Sequence, residues 1–221
     1  MVMILNEQDQ VSVPEWVVDL DSFRRWADAG EFPDEGRIFF LRGQVWVDMS
    51  KEQVFSHIKV KTRMTSTLDV LVAALQSGLL LGDGLRLTNE AAGLAVKPDA
   101  TFVAWKTLHR HRVRLIPGTE EGFVELEGSP DMVLEVVSTS SVQKDTEILR
   151  QAYWEAGIKE YWLVDARQEP LLFEIWRHTA RGYVATRKTN GWLKSMVFGR
   201  SFRLTQTTDP LGNPDYTLEA R

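Results

Sequence analysis

The run Met132–Val137 constrains the fold more than any other part of the chain. It reads MVLEVV, apolar throughout except for one carboxylate, Glu135. The segment SVQKDTEILRQAYWEAG follows with helical spacing and Gly157 as its stop, and then comes a second apolar run, KEYWLVDA. Strand, helix and strand at these lengths make a βαβ unit, so the two strands should run parallel with a right-handed crossover. Parallel strands are covered on both faces. Glu135 should therefore lie inside the protein, where an unpaired charge is severely unfavourable. A buried Lys or Arg, a bound proton or a metal ion would each compensate it. An ion pair with Arg150 or Lys144 is the purely structural answer.

A second acid sits upstream. Asp99 follows Pro98 and opens DATFV, which reads as a buried strand over Ala100–Ala104. Asp beside Pro is also common in turns. If Asp99 lies on a strand next to Glu135, the pair suits Mg²⁺, which prefers oxygen ligands and keeps several waters. Such an ion lowers the pKa of bound water and stabilises charge on a phosphoryl oxygen.

Pro98-Asp99, then LEVVS at Leu134–Ser138, then YWEAGIKEYWLVD at Tyr153–Asp165 resemble the Uma-type restriction endonuclease family of the PD-(D/E)XK nuclease superfamily. The resemblance extends upstream to LRGQVWVDMS and His57, covering roughly residues 37–178. It implies Asp99 and Glu135 as catalytic metal ligands, with the Val136 carbonyl as a third ligand. It implies Mg²⁺ as cofactor, with Mn²⁺ able to substitute, DNA as substrate, hydrolysis of phosphodiester bonds and a homodimer that cuts both strands. The motif's lysine should stand two residues after Glu135, where this chain has Val137. In the superfamily that lysine can move to the following helix. Lys144 in the first turn is the preferred substitute and Arg150 the second choice, with Gln151 facing the same pocket. If neither base reaches the acids, the fold would serve as a nucleic-acid-binding module without cleavage. Hydrolysis of another phosphoester is the remaining alternative.

Other residues carry weaker signals. His57 falls on the apolar face of a helix expected over residues 51–77, whose stripe is Val54, Ile58, Met64, Leu68, Leu71 and Leu75. A histidine there is usually a core residue, but the resemblance places it near the acids. Glu52 at the start of that helix either contacts metal through water or simply favours the helix dipole. HRHRVR, with Arg110, Arg112 and Arg114, is the densest basic run and could grip phosphates beside the acids.

The rest of the chain sets the frame. With 43% hydrophobic residues and 26% charged, the 221 residues support one well-packed domain. The absence of cysteine excludes disulfides and thiolate metal sites and fits a cytoplasmic setting. The apolar stretch DVLVAALQSGLLLGDG is too short and interrupted to span a membrane. A net charge of −5 argues against nonspecific coating of nucleic acid, not against a local basic groove. The expected architecture is an α/β restriction-endonuclease-like core: a mixed β-sheet flanked by helices, with an N-terminal hairpin and C-terminal antiparallel strands. Residues 1–36 should form an arm with a short helix, residues 37–208 the nuclease-like domain, and residues 209–221 a loosely packed tail.

Overall fold

The computed structural model describes residues 2–4, 11–118, 121–167 and 169–221. In chain order the elements are β1 (Val2–Ile4), α1 (Leu20–Ala27), β2 (Arg37–Leu41), β3 (Gln44–Asp48) and a π-helical turn, Val54–Lys59, that leads into α2 (Val60–Leu75). β4 (Gly78–Gly82), β5 (Arg86–Asn89), β6 (Leu94–Val96), β7 (Ala100–Ala104), α3 (Trp105–His109), β8 (Val113–Pro117), β9 (Phe123–Gly128) and β10 (Met132–Val136) follow. A second π-helical turn, Lys144–Ile148, opens α4 (Leu149–Glu155). The chain ends with β11 (Glu160–Asp165), β12 (Leu172–Thr179), β13 (Gly182–Ala185), β14 (Leu193–Lys194), β15 (Ser201–Thr208) and β16 (Pro214–Ala220).

The central sheet has the order β13-β12-β11-β10-β7-β4. β10 and β11 pair in parallel, as the βαβ pattern requires, with Met132 opposite Glu160. The other pairings in this sheet are antiparallel. One face packs on α2 and on the small sheet β14-β15-β16, through Met64, Leu68, Phe102, Leu134, Trp162, Phe202 and Tyr216. The other face packs on α4 and on a seven-stranded sheet, β1-β3-β2-β6-β5-β9-β8. α1 covers the outer side of that second sheet with Phe23 and Trp26, and its start is closed by a capping box between Asp19 and Ser22. No helix among the described residues is long and apolar enough to cross a membrane.

Four expectations change. The N-terminal hairpin, β2 and β3, belongs to the second sheet and not to the central one. The arm is partly paired, because β1 lies parallel to β3; residues 5–10 of the arm lie outside the described residues. The HRHRVR segment, which its sequence suggests is a loop or partly ordered insertion, is the end of α3, a turn with His111 at φ 53°, and the edge strand β8. The C-terminal tail is a core strand: β16 pairs along its length with β15 and buries Tyr216 and Leu218. Its alternation of Tyr216, Leu218 and Ala220 with polar residues is the strand signal that the prolines at 210 and 214 obscure.

The apolar stripe of the long helix holds only from Val60 onward. Met64 and Leu68 are fully buried, but Val54 and Ile58 are 61% and 42% exposed, and Leu75 at the far end is also exposed. The π turn Val54–Lys59 takes up an extra residue and rotates the helix face. His57, Val60 and Lys61 point inward instead.

Trp162 is the hub of the α2-side core, with edge-on contacts to Phe173, Phe198 and Phe202. Trp162→Ala is expected to destabilise the protein by about 3–5 kcal/mol, read as a lower urea midpoint with an unchanged m-value. A loss below about 1 kcal/mol would contradict this packing.

Candidate active site

The sheet register brings the two acids together. β10 pairs antiparallel with β7, with Leu134 opposite Ala100. One step further along each strand places Glu135 opposite Asp99. Ala100 and Leu134 face the α2-side core, whereas Val133 and Val137 face α4. Side chains alternate along a strand, so Glu135 and Asp99 turn together toward α4 and the second sheet.

Asp99 is 5% exposed and Glu135 4% exposed. Asp99 Oδ2 accepts a 2.7 Å hydrogen bond from the Val136 amide. Its Oδ1 lies 3.5 Å from Lys61 Nζ, and His57 Nε2 lies 3.8 Å from Oδ2. Glu135 Oε1 accepts a 2.5 Å hydrogen bond from the Tyr153 hydroxyl, which reaches down from α4. Burial pushes the Asp99 carboxyl above its ordinary value, against the pull of His57 and Lys61. Burial raises Glu135 further; Lys144 opposes the shift, while Asp145 and Asp99 add to it.

Asp99, Glu135 and Lys144 line one cavity of about 20 Å³, together with Arg37, Phe39, Asp48, Asp83 and Lys97. That is room for one water or one bare ion. Lys144 Nζ is 2.7 Å from Asp145 Oδ1 and 5.3 Å from the centre of the Phe39 ring, a cation–π contact. Burial works against its charge, but Asp145 and Glu135 outweigh burial and hold the ammonium above its usual range. The loop after β10 is fastened by serines: Ser140 donates to Asp48 at 3.0 Å, and Ser141 donates to Asp145. Among the described residues no three His, Cys, Asp or Glu side chains converge as a metal cluster. Asp99 and Glu135 sit opposite each other at the end of the β7–β10 pairing, with Asp48 and Asp83 elsewhere in the cavity wall.

Several expected site residues lie elsewhere. Arg150 stacks its guanidinium 4.5 Å from the Trp176 ring centre, on the β12 side of α4. Gln151 is exposed and donates to Glu155 at 2.9 Å. Both point away because Tyr153 and Leu149 occupy the inward face of α4. Val137 is buried in the α4-side core, so a lysine there would have to displace packed apolar side chains. Arg114 pairs with Glu127 across β8 and β9. Arg112 lines a cavity with Asp131, at the opposite end of β10 from Glu135. Four strand steps separate those ends, about 13 Å. Arg110 is exposed just before Arg112, so the basic run does not border the acids.

His57 and Glu52 are where the motif reading put them, near Asp99. His57 Nδ1 is 3.2 Å from Glu52 Oε2. Glu52 also accepts from Lys61 at 2.9 Å and from Arg37 at 2.8 Å. Three neighbours escaped the sequence reading. Lys61 had a usable signal, since it follows His57 by four residues and so shares its helix face. Tyr153 and Asp83 had none: a tyrosine in a crossover helix and an aspartate in a GDG turn look ordinary.

The chain matches a known protein family and a solved structure. A family model described as "Uma2: Putative restriction endonuclease" matches residues 20–207. Among solved structures, the chain is similar to a "putative nuclease belonging to DUF820" from Anabaena variabilis ATCC 29413. That match has a TM-score of 0.59 and 16% identity, and covers 82% of this chain and 91% of the other. At that identity the likeness is one of fold. No curated protein matches the chain.

The raised Glu135 carboxyl has a thermodynamic consequence for the metal-free protein. A group held above its unfolded pKa stabilises the fold at low pH, and that contribution is lost as pH rises. Glu135→Gln removes the burden and keeps an acceptor for Tyr153. In chelator-treated protein its urea midpoint is expected to exceed the parent's at about pH 7.5, with the gain vanishing toward about pH 3, where the carboxyl is protonated in both states. An equal or lower midpoint at the higher pH would show that Glu135 is not strained by its burial.

Proposed function

Because the chain belongs to the Uma2 family, described as "Putative restriction endonuclease", we propose that it is a metal-dependent endonuclease that hydrolyses DNA phosphodiester bonds at Asp99 and Glu135. The observation that carries this reading is the shared cavity. Two buried carboxylates on adjacent strands and one buried ammonium, Lys144, meet in a space the size of a single ion.

The donor set fits a hard divalent cation. Burial leaves both carboxyls short of positive charge. The Val136 amide holds one oxygen of Asp99, and Tyr153 holds one oxygen of Glu135. The other oxygen of Glu135 is not needed by Tyr153, and Asp99 Oδ1 has Lys61 3.5 Å away, so a ligand there would share it with that ammonium. The Val136 carbonyl points to the same strand edge as its amide, toward Asp99, because both groups of an extended residue serve one neighbouring strand. Asp99, Glu135 and that carbonyl would hold Mg²⁺ or Mn²⁺, and when bound the ion activates water and offsets charge on the phosphoryl group.

The chain's own residues divide the remaining work. Lys144 is kept as an ammonium by Asp145 and Glu135, so it donates hydrogen bonds to the attacked phosphate and takes no proton from water. Tyr153 fixes the rotamer of Glu135. Glu52, His57 and Lys61 form a second line behind Asp99 and hold it against the strand end. Two copies acting together would cut both strands of a duplex.

In a nuclease assay with Mg²⁺ or Mn²⁺ on single- and double-stranded DNA, Asp99→Ala and Glu135→Ala should each abolish cleavage while the circular dichroism spectrum is kept. Lys144→Ala should slow cleavage about 10²–10³-fold, the usual cost of losing one electrostatic donor. Arg150→Ala should change it less than about threefold, because its guanidinium lies on Trp176. Retained cleavage in either acid variant, or a larger effect at Arg150 than at Lys144, would overturn the assignment.

A further inference from the structure

A second cavity of about 590 Å³ opens at the other end of the central sheet. Its walls include the basic side chains Lys106, Arg112, Lys159 and Arg177 and the acids Asp131 and Glu160. The volume is that of a small-molecule site. It lies about 13 Å along β10 from Glu135, so it is separate from the carboxylate pair.

The acids in this cavity are already satisfied. Asp131 accepts from the Ala104 amide at 2.8 Å and pairs with Lys159. Glu160 accepts from the amides of Met196 and Val197 at 2.6 and 3.1 Å, from the Ser195 hydroxyl at 2.7 Å, and from the Trp162 indole at 3.0 Å. The three donors from residues 195–197 also hold that turn in place as a wall. What remains is Lys106, Arg112 and Arg177, all exposed, and none has an acidic partner among the described residues. Gly128 lets the Arg112 carbonyl come so close that a Cβ there would sit 2.2 Å from it, and Gly78 makes a similar approach to Val103. Both glycines lie where the strands carrying the cavity converge.

One guanidinium is enough for a carboxylate. Three unpaired cations around one cavity match a dianion, and the apolar surface of Phe102, Met196 and Val197 leaves room for an organic body attached to it. We propose that this cavity binds a phosphomonoester, either the phosphate of a free mononucleotide or the terminal phosphate of a DNA strand. Arg112 and Arg177 grip the phosphate, Lys106 adds charge at the mouth, and Met196 and Val197 cover the nucleoside. The inference does not depend on the chemistry at Asp99 and Glu135.

Calorimetric titration of the full chain with dAMP and with deoxyadenosine tests it. dAMP should bind at least about tenfold more tightly, the effect of a charge-assisted contact. The double variant Arg112→Gln, Arg177→Gln should lose that preference while keeping its circular dichroism spectrum, and Lys106→Met should weaken it. Asp99→Asn should retain it. A short DNA oligonucleotide with a 5′-phosphate, compared with its 5′-hydroxyl form, distinguishes the sources. Displacement of dAMP by the phosphorylated strand alone supports a strand end; displacement by neither supports a free nucleotide. Equal binding of dAMP and deoxyadenosine, or a preference that survives the double arginine variant, would overturn the proposal. Loss of the preference in Asp99→Asn would overturn the separation of the two sites.

Discussion

The hydrogen bond from the Val136 amide to Asp99 is the contact on which the acidic site depends. β7 begins its ladder with β10 at Ala100, so the next amide along β10, that of Val136, has no backbone acceptor on that side. A buried N–H left unpaired would cost about 1–3 kcal/mol. Asp99 supplies the missing acceptor with its side chain. The same bond closes the strand end and fixes one carboxylate oxygen within the sheet. Glu135, opposite Asp99 in register, is held by Tyr153 from above. A backbone requirement thus places one acid and an α4 hydroxyl places the other, both on one face.

Charge around the small cavity is balanced unevenly. Asp48 is supplied with hydrogen bonds by Ser50 and Ser140, and these hold its carboxyl below its ordinary value despite its burial. Asp83 pairs with Lys61. Glu52 is held low by Lys61 and Arg37 against its own burial. These acids are therefore comfortable as anions. Asp99 and Glu135 are not, because burial there exceeds what Lys61, His57 and Lys144 return. That contrast separates structural acids from the pair with spare demand for a cation.

Much of this was legible because it rests on short-range patterns. The apolar run with Glu135, the crossover helix ending at Gly157 and the KEYWLVDA strand produce the parallel pair β10 and β11 directly. The strand opened by Pro98-Asp99 is β7, next to β10. What failed depended on phase or on distant partners. A helical wheel assumes constant rotation per residue, and the π turn at Val54–Lys59 breaks that assumption, which exposes Val54 and Ile58 and turns Lys61 inward. The second π turn, Lys144–Ile148, likewise resets the phase of α4. Lys144 then faces the acids, whereas Arg150 and Gln151, read on an unbroken helix, do not. The basic run is dense in sequence, but a strand has two ends, and sequence density does not say which end a loop serves.

The net charge of −5 is a poor guide to what this surface attracts. Net charge gives only the excess of acids over bases and does not say where the unpaired charges lie. Glu125 and Glu127 are paired with Arg24, Arg86 and Arg114, and Asp215 with Arg63 and Lys59. Such pairs have little field at a distance compared with unpaired charges. A polyanion approaching the protein meets the cations left over, such as Lys97 at the small cavity and Lys106, Arg112 and Arg177 at the large one. The two cavities sit at opposite ends of β10, one lined by the buried acids Asp99 and Glu135 and the other by the exposed cations Lys106, Arg112 and Arg177. Pairing within the fold, not the total charge, decides which charges remain to act outside it.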